Sequence, residues 1–223
     1  MSRRIILFMI LLVAVPFIGL SQTFYEYDEE DEEYHAIKGS VDFNIPIARL
    51  ATGYKPGLGA HISYNWYDAV FLDRVVRLNF AIANFKPKED TLHYSSPVPG
   101  TVVYTDYLVL SVTAHFEKTK RINKFGIYGG FDVGYAATHY SFVSRDKNIS
   151  LGEESIQGKI IVAPEAGLNY FFTDELSAAF LLRYNALFTF AGDDLGKYYY
   201  NPVSGFYKNY ASVSLRIAYT FYY

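Results

Sequence analysis

The C-terminal stretch YKNYASVSLRIAYTFYY, residues 207–223, decides how the rest of the chain is read. From Ala211 onward every second residue is apolar or aromatic: Ala211, Val213, Leu215, Ile217, Tyr219, Phe221 and Tyr223. Between them lie Ser212, Ser214, Arg216, Ala218, Thr220 and Tyr222, a set that is small or polar apart from Tyr222. Alternation with period two sends the two sets to opposite faces of a strand. A half-buried strand of a soluble sandwich alternates in the same way. Length and the aromatic cluster at one end of the apolar face favour a membrane strand, which needs about 9–11 tilted residues with aromatics at the water boundary.

The same alternation recurs upstream. Ile37–Ile47 sets Gly39, Val41, Phe43 and Ile45 against Lys38, Ser40, Asp42 and Asn44. Leu58–Tyr67, Val75–Phe85, Tyr107–Phe116, Phe125–Ala137, Lys159–Phe171 and Leu176–Phe188 follow the pattern, which with the terminal segment predicts eight strands. Their apolar faces carry no charged residue, although 19% of the chain is charged. A charge facing lipid costs about 2–4 kcal/mol at the midplane, enough to exclude it. The connections alternate too. Asp68–Arg74, Glu117–Lys124 and Thr173–Glu175 are short, whereas Lys86–Asp106, Thr138–Gly158 and Thr189–Phe206 are long and Arg49–Gly57 is modest. Short periplasmic turns and longer external loops have this rhythm. The fold expected is therefore all-β, an eight-stranded antiparallel up-and-down transmembrane β-barrel over residues 37–223. An even strand number puts both termini in the periplasm. Pro164 lacks the N–H that a closed ladder uses, so a bulge is expected there; Pro46 marks the external end of the first strand.

The ending Tyr219, Phe221, Tyr223 resembles the C-terminal signal by which bacterial outer-membrane proteins are recognised by the barrel-insertion machinery. Over Ile37 to Tyr223, with Gly- and aromatic-rich strands such as Gly57-Leu58-Gly59-Ala60-His61-Ile62-Ser63-Tyr64, the chain resembles the small eight-stranded outer-membrane proteins of the OmpA-barrel and OmpX type. Within that group it is similar to the barrel-domain proteins of Bacteroidota. The resemblance implies a Gram-negative envelope, with outer-membrane lipid and lipopolysaccharide as surroundings. It carries no activity by itself.

One domain is expected from 223 residues, and 22 Tyr with 18 Phe suit aromatic girdles. The absence of cysteine excludes disulfides, thiolate metal sites and a lipidated N-terminal Cys. Residues 1–21 read as a signal peptide: Arg3 and Arg4, the apolar run Ile5 to Val15, then Gly19 and Ser21 before a cut at Gln22. Residues 22–36 read as an acidic, self-repelling and disordered periplasmic leader, with seven carboxylates among the eight residues from Glu26 to Glu33. A cation- or partner-binding tail is the alternative for that run. Without signal and acidic run the body is close to neutral, which gives no footing for nucleic acid.

An eight-stranded barrel is just wide enough for side chains to fill. The inward set holds Asp42, Arg77, Asp132, Glu165, Arg183 and Arg216, together with His61, Asn65, Asn79, His115, Asn169 and Asn185. Buried charges persist when paired, and guanidinium pairs bidentately with carboxylate. A polar plug closing the lumen is expected; a narrow ion channel lined by the same groups is the alternative. Those polar residues argue against a soluble periplasmic barrel that holds lipid inside.

His139, Ser141 and Glu153 have the residue types of a Ser–His–acid hydrolase. Their order and spacing are similar to the His-x-Ser…Glu set of the outer-membrane lipid A deacylases, with Phe142 where that family has Asn. The resemblance implies a lipid A-modifying hydrolase as the alternative function, and otherwise no enzyme is expected. His93 and Tyr94, and Tyr198, Tyr199 and Tyr200, place aromatics in the external loops, where protein or glycan contacts form. Five dispersed histidines, His35, His61, His93, His115 and His139, point to no metal site, and no cofactor motif appears. The role expected is non-enzymatic: structural support or surface binding through the loops, with a protein partner in an envelope complex.

Overall fold

A computed structural model describes residues 34–66, 75–88, 91–94, 100–144, 152–189 and 207–222. Ten strands appear in it: β1 (Tyr34–Ile47), β2 (Gly57–Trp66), β3 (Val75–Phe85), β4 (Thr91–Tyr94), β5 (Gly100–Tyr104), β6 (Tyr107–Ile122), β7 (Phe125–Ser144), β8 (Gly152–Phe171), β9 (Leu176–Phe188) and β10 (Tyr207–Tyr222). Among the described residues one short helix, α1 (Arg49–Gly53), lies between β1 and β2. Eight strands make the wall in the order β1-β2-β3-β6-β7-β8-β9-β10, each antiparallel to its neighbours, and β10 closes on β1 with Val41 opposite Leu215. This is the eight-stranded up-and-down barrel expected from the alternation. Closure leaves the wall no edge, so hydrocarbon can surround it without orphaning backbone N–H and C=O groups.

Period two produces the two faces. Val41 is 65% exposed and Asp42 beside it 5%. Leu58, Ile62, Leu78, Phe80, Leu182, Leu215 and Ile217 are likewise exposed, while Arg77, His115, Asp132, Glu165 and Arg216 are buried. The molecule is thus apolar outside and polar inside. At the end where β1 begins and the short turns lie, aromatics pack edge to face along the rim: Phe125 with Tyr170, Tyr170 with Phe172, and Tyr219 with Phe221 at 4.8 Å between ring centres.

Several boundaries differ from the sequence expectation. β1 begins at Tyr34, so Tyr34–Ala36 belong to the wall and not to the leader. β6 runs past Phe116 to Ile122, β7 past Ala137 to Ser144, and β8 starts at Gly152, seven residues before Lys159. Apolar alternation marks where a strand faces lipid, but ladder hydrogen bonds continue beyond it because backbone pairing needs no apolar face. The β6–β7 turn shrinks to Asn123 and Lys124, with Asn123 at φ 55°, a left-handed conformation that Asn tolerates. At the opposite end β7 and β8 outrun the wall, and the β4–β5 hairpin pairs with β7 (Val103 opposite Val143).

Pro164 is accommodated without the expected bulge. β8 pairs with β9 through Val162–Ala186 and resumes at Glu165–Arg183, which is the same register. On its other side Phe131 stays opposite Pro164 in an unbroken register with β7. The ladder to β9 omits Ala163 and Pro164, so the missing N–H costs a local pairing and not a shift.

Candidate functional site

The lumen is where the inward residues converge. Glu165 on β8 is its hub. It accepts hydrogen bonds from Arg77 Nη2 (3.2 Å), Arg183 Nε (2.7 Å), Arg216 Nη1 (3.4 Å) and Tyr128 Oη (3.1 Å), and Arg183 Nη2 also contacts it. Arg77 reaches on to Glu117 (3.0 Å), which also binds Lys38 Nζ (3.0 Å). Asp132 accepts from Asn79 Nδ2 (2.8 Å), lies 2.7 Å from His115 Nδ1, and meets Arg183 at 3.3 Å. Lys38, Arg77, Arg183 and Arg216 therefore face equal numbers of carboxylates: Asp42, Glu117, Asp132 and Glu165. Each cation meets at least one of these carboxylates within 3.4 Å. Such a set is tolerated in a low-dielectric interior because each charge but that of Asp42 has a counter-charge and hydrogen bonds.

Two lumen-facing glycines make the packing possible. A Cβ on Gly130 would come within 2.9 Å of His115 Nε2, and one on Gly167 within 2.5 Å of Tyr128 Cε1. Both give up side-chain volume to the rings that contact Asp132 and Glu165.

Further along the axis, Asp42 departs from the Arg-paired arrangement. Its carboxylate accepts from Ser40 Oγ (2.7 Å) and lies 3.2 Å from His61 Nδ1, with Ser40 Oγ 2.6 Å from the same nitrogen. These are the residue types of a hydrolytic triad, but serine and aspartate crowd one ring nitrogen, and all three residues are buried. A catalytic set needs the base between its nucleophile and its orienting acid, with room for substrate. The cluster is a hydrogen-bonded part of the filling.

The loop end is closed by different chemistry. α1 turns into the barrel mouth after Ala48 (φ 52°), and Leu50 and Tyr54 are almost fully buried. They join Ala83, Phe85, Tyr107, Val109, Ala136, Ile161, Leu187 and Tyr210 in one apolar cluster. Tyr54 and Phe85 pack on Tyr107, and Phe85 meets Tyr210 edge-on at 5.2 Å. Asn185, Ser212 and Asn44 form a hydrogen-bonded layer between the two fillings.

All six charged residues expected in the lumen are buried there. The expected charge set left out Lys38, which the alternation had already turned inward, and also Glu117, Tyr128 and the plug residues Leu50 and Tyr54. Glu117 was assigned to a connection because the apolar alternation stops at Phe116.

His115, Asp132 and Glu165 present ligand atoms within 4.8 Å of one another. A cation there would have to displace the guanidinium groups that already hold Glu165 and Asp132, so the charge around the cluster opposes it.

His139, Ser141, Glu153, His93 and Tyr94 lie at the loop end, whereas Tyr219 and Phe221 lie at the turn end. His139 and Ser141 are on β7, with Ile156 and Glu154 opposite them; Glu153 pairs with Phe142. Glu153 thus sits on a strand and not in a loop, one residue out of step with Ser141. His93 and Tyr94 are on β4. Tyr198, Tyr199, Tyr200 and Tyr223 lie outside the described residues, as do residues 1–33, where the export signal and most of the acidic leader are expected.

Known structures share the barrel architecture. The chain is similar to neisserial surface protein A, at 14% identity and a TM-score of 0.50, over 85% of this chain and 97% of that one. It is also similar to a major outer membrane protein from Thermus thermophilus, at 12% identity and a TM-score of 0.57, over 85% and 99%. It has the fold of the small outer-membrane β-barrels. No family model and no curated protein matches the sequence. The likeness is therefore one of barrel architecture, and the outer-membrane barrel fold accounts for both faces of the wall.

Proposed function

We propose that this protein is a closed, non-enzymatic β-barrel of the outer membrane that presents its loop-end sheet to the cell surface, with both termini in the periplasm. The observation that carries this reading is the double filling of the lumen. The Glu165 network spans the middle and the α1 plug covers the loop end, leaving the extended strands β7 and β8 with the β4–β5 hairpin as the part able to meet a partner. Connecting segments carried on a rigid scaffold suit surface contacts. Residues 1–21 act as the export signal, and Tyr219, Phe221 and Tyr223 serve insertion by the barrel machinery. The surroundings are outer-membrane lipid and lipopolysaccharide, and a protein partner in the envelope is the binding target that fits.

Planar-bilayer recording of purified protein tests the closed barrel: silent bilayers are expected, and stable unitary conductance would replace this reading with the narrow channel. Mass spectrometry of lipid A from cells with and without expression covers the enzyme alternative, with an unchanged acyl pattern expected.

A further inference from the structure

The lumen is filled at its middle and loop end but not at the turn end. A cavity of about 300 Å³ opens there, bordered by Lys38, Asn65, Glu117, Lys118, Asn169 and Arg216 among others. Its one acid, Glu117, is already engaged by Lys38 and Arg77. Asn65 is 3% exposed, and its Oδ1 has no hydrogen-bond partner. The mouth beyond adds Lys120, Arg121 and Lys124 on and beside the β6–β7 turn, against Asp174 and Glu175 on the β8–β9 turn. Lys38, Lys118 and Arg216 against Glu117 make the lining itself net positive.

We propose that this cavity is the docking site of the chain's own acidic segment, Glu26 to Glu33. Three observations select this occupant. The segment joins β1 at Tyr34, and Ala36, two residues on, lines the cavity, so the carboxylates are tethered at its rim. Seven carboxylates in eight residues complement the positive lining. A cavity of this volume is at the lower limit of small-molecule pockets, about 300–1,000 Å³, so it admits side chains and excludes a folded partner. A free anion would meet the same cations, but a short tether holds the segment at an effective concentration of about millimolar. The inference goes beyond the closed-barrel reading and does not depend on which side of the membrane the turn end faces.

The chain has no cysteine, so a single thiol reports on the cavity. Ser177→Cys places one on its lining, and alkylation by N-ethylmaleimide is timed on the exported chain in detergent micelles. The comparison chain carries the same thiol with the segment's glutamates changed to Gln and its aspartates to Asn, which leaves the barrel untouched. If access follows the open population, a segment docked nine-tenths of the time slows alkylation about tenfold. Slow alkylation is expected for the native segment at about 0.01 M salt, where charge interactions reach about 30 Å. Alkylation about tenfold faster is expected in about 1 M salt, where they reach about 3 Å, or with the neutralised segment. Equal rates for the two chains at low salt would overturn the proposal, and so would a native rate that salt does not change. Neither result bears on conductance, so the closed-barrel reading stands or falls separately.

Discussion

The middle of the lumen and its loop end are both filled, the first by charge and the second by apolar and aromatic side chains. In the middle, Glu165 gathers Arg77, Arg183 and Arg216, and removing any one partner strands the others. At the loop end, Leu50, Tyr54, Phe85 and Tyr107 pack together, with the buried Lys159 and Lys208 beside their cluster. The charged layer is cooperative and brittle, because its energy lies in mutual neutralisation. The apolar layer is divisible, because each side chain contributes its own buried area. The first belongs wholly to the wall, whereas the second is completed by Leu50 and Tyr54 from a connection, so one is fixed by register and the other also needs the folding-back of α1.

This contrast can be broken at its strongest point first. Glu165→Ala leaves three guanidinium groups around an empty position, and breaking a buried ion pair from one side costs about 3–5 kcal/mol. Urea unfolding from lipid vesicles should show at least that loss, and a smaller one for Glu165→Gln, which keeps hydrogen-bond acceptors. Little change with Glu165→Ala would mean that water already solvates the layer.

At the loop end, Leu50→Ala should cost about 2–3 kcal/mol in the same assay, towards the lower part of the range for large-to-small core changes, since a plug on a connection can settle into the space. A cost as large as that of Glu165→Ala would make the plug a second keystone. Conductance sharpens the comparison further. Glu165→Gln or Leu50→Ala alone should leave bilayers silent, because the other layer still blocks the path; the double variant should conduct. A current from Leu50→Ala alone would show that the charged layer passes ions.

The smallest effect is expected outside both layers. Arg121 and Asp174 are 3.0 Å apart but 48% and 74% exposed. Exposed pairs of this kind are worth about 0–1 kcal/mol, so Arg121→Ala should leave the unfolding curve almost unmoved. A large loss would show that the stacking of Arg121 on Phe171, 4.4 Å from the ring centre, carries weight of its own.

Legibility followed the same division. The charged layer could be read because its members alternate with lipid-facing residues: Asp42 next to Val41, Arg77 next to Leu78, Arg216 between Leu215 and Ile217. Parity alone placed them inside. The pairing among them could not be read, since which Arg meets which carboxylate depends on the stagger of strands far apart in sequence. Glu165 and Arg77 are 88 residues apart. The plug was not legible, because Leu50 and Tyr54 sit in a connection where period two carries no information. The ends of β6, β7 and β8 were hidden for a related reason: their outer parts pair by backbone without an apolar face.

What the sequence determined by itself is the wall: eight segments of period two, their order, and which residues face lipid. The physical reason is that side-chain direction along a strand is local and hydrocarbon excludes charge from one face. What only the tertiary structure decided is how the interior closes. The Glu165 hub, the His61–Ser40–Asp42 cluster, the inward turn of α1 and the cavity left at the turn end are set by register around the ring. That register is a property of all eight strands together and of no single stretch of the chain.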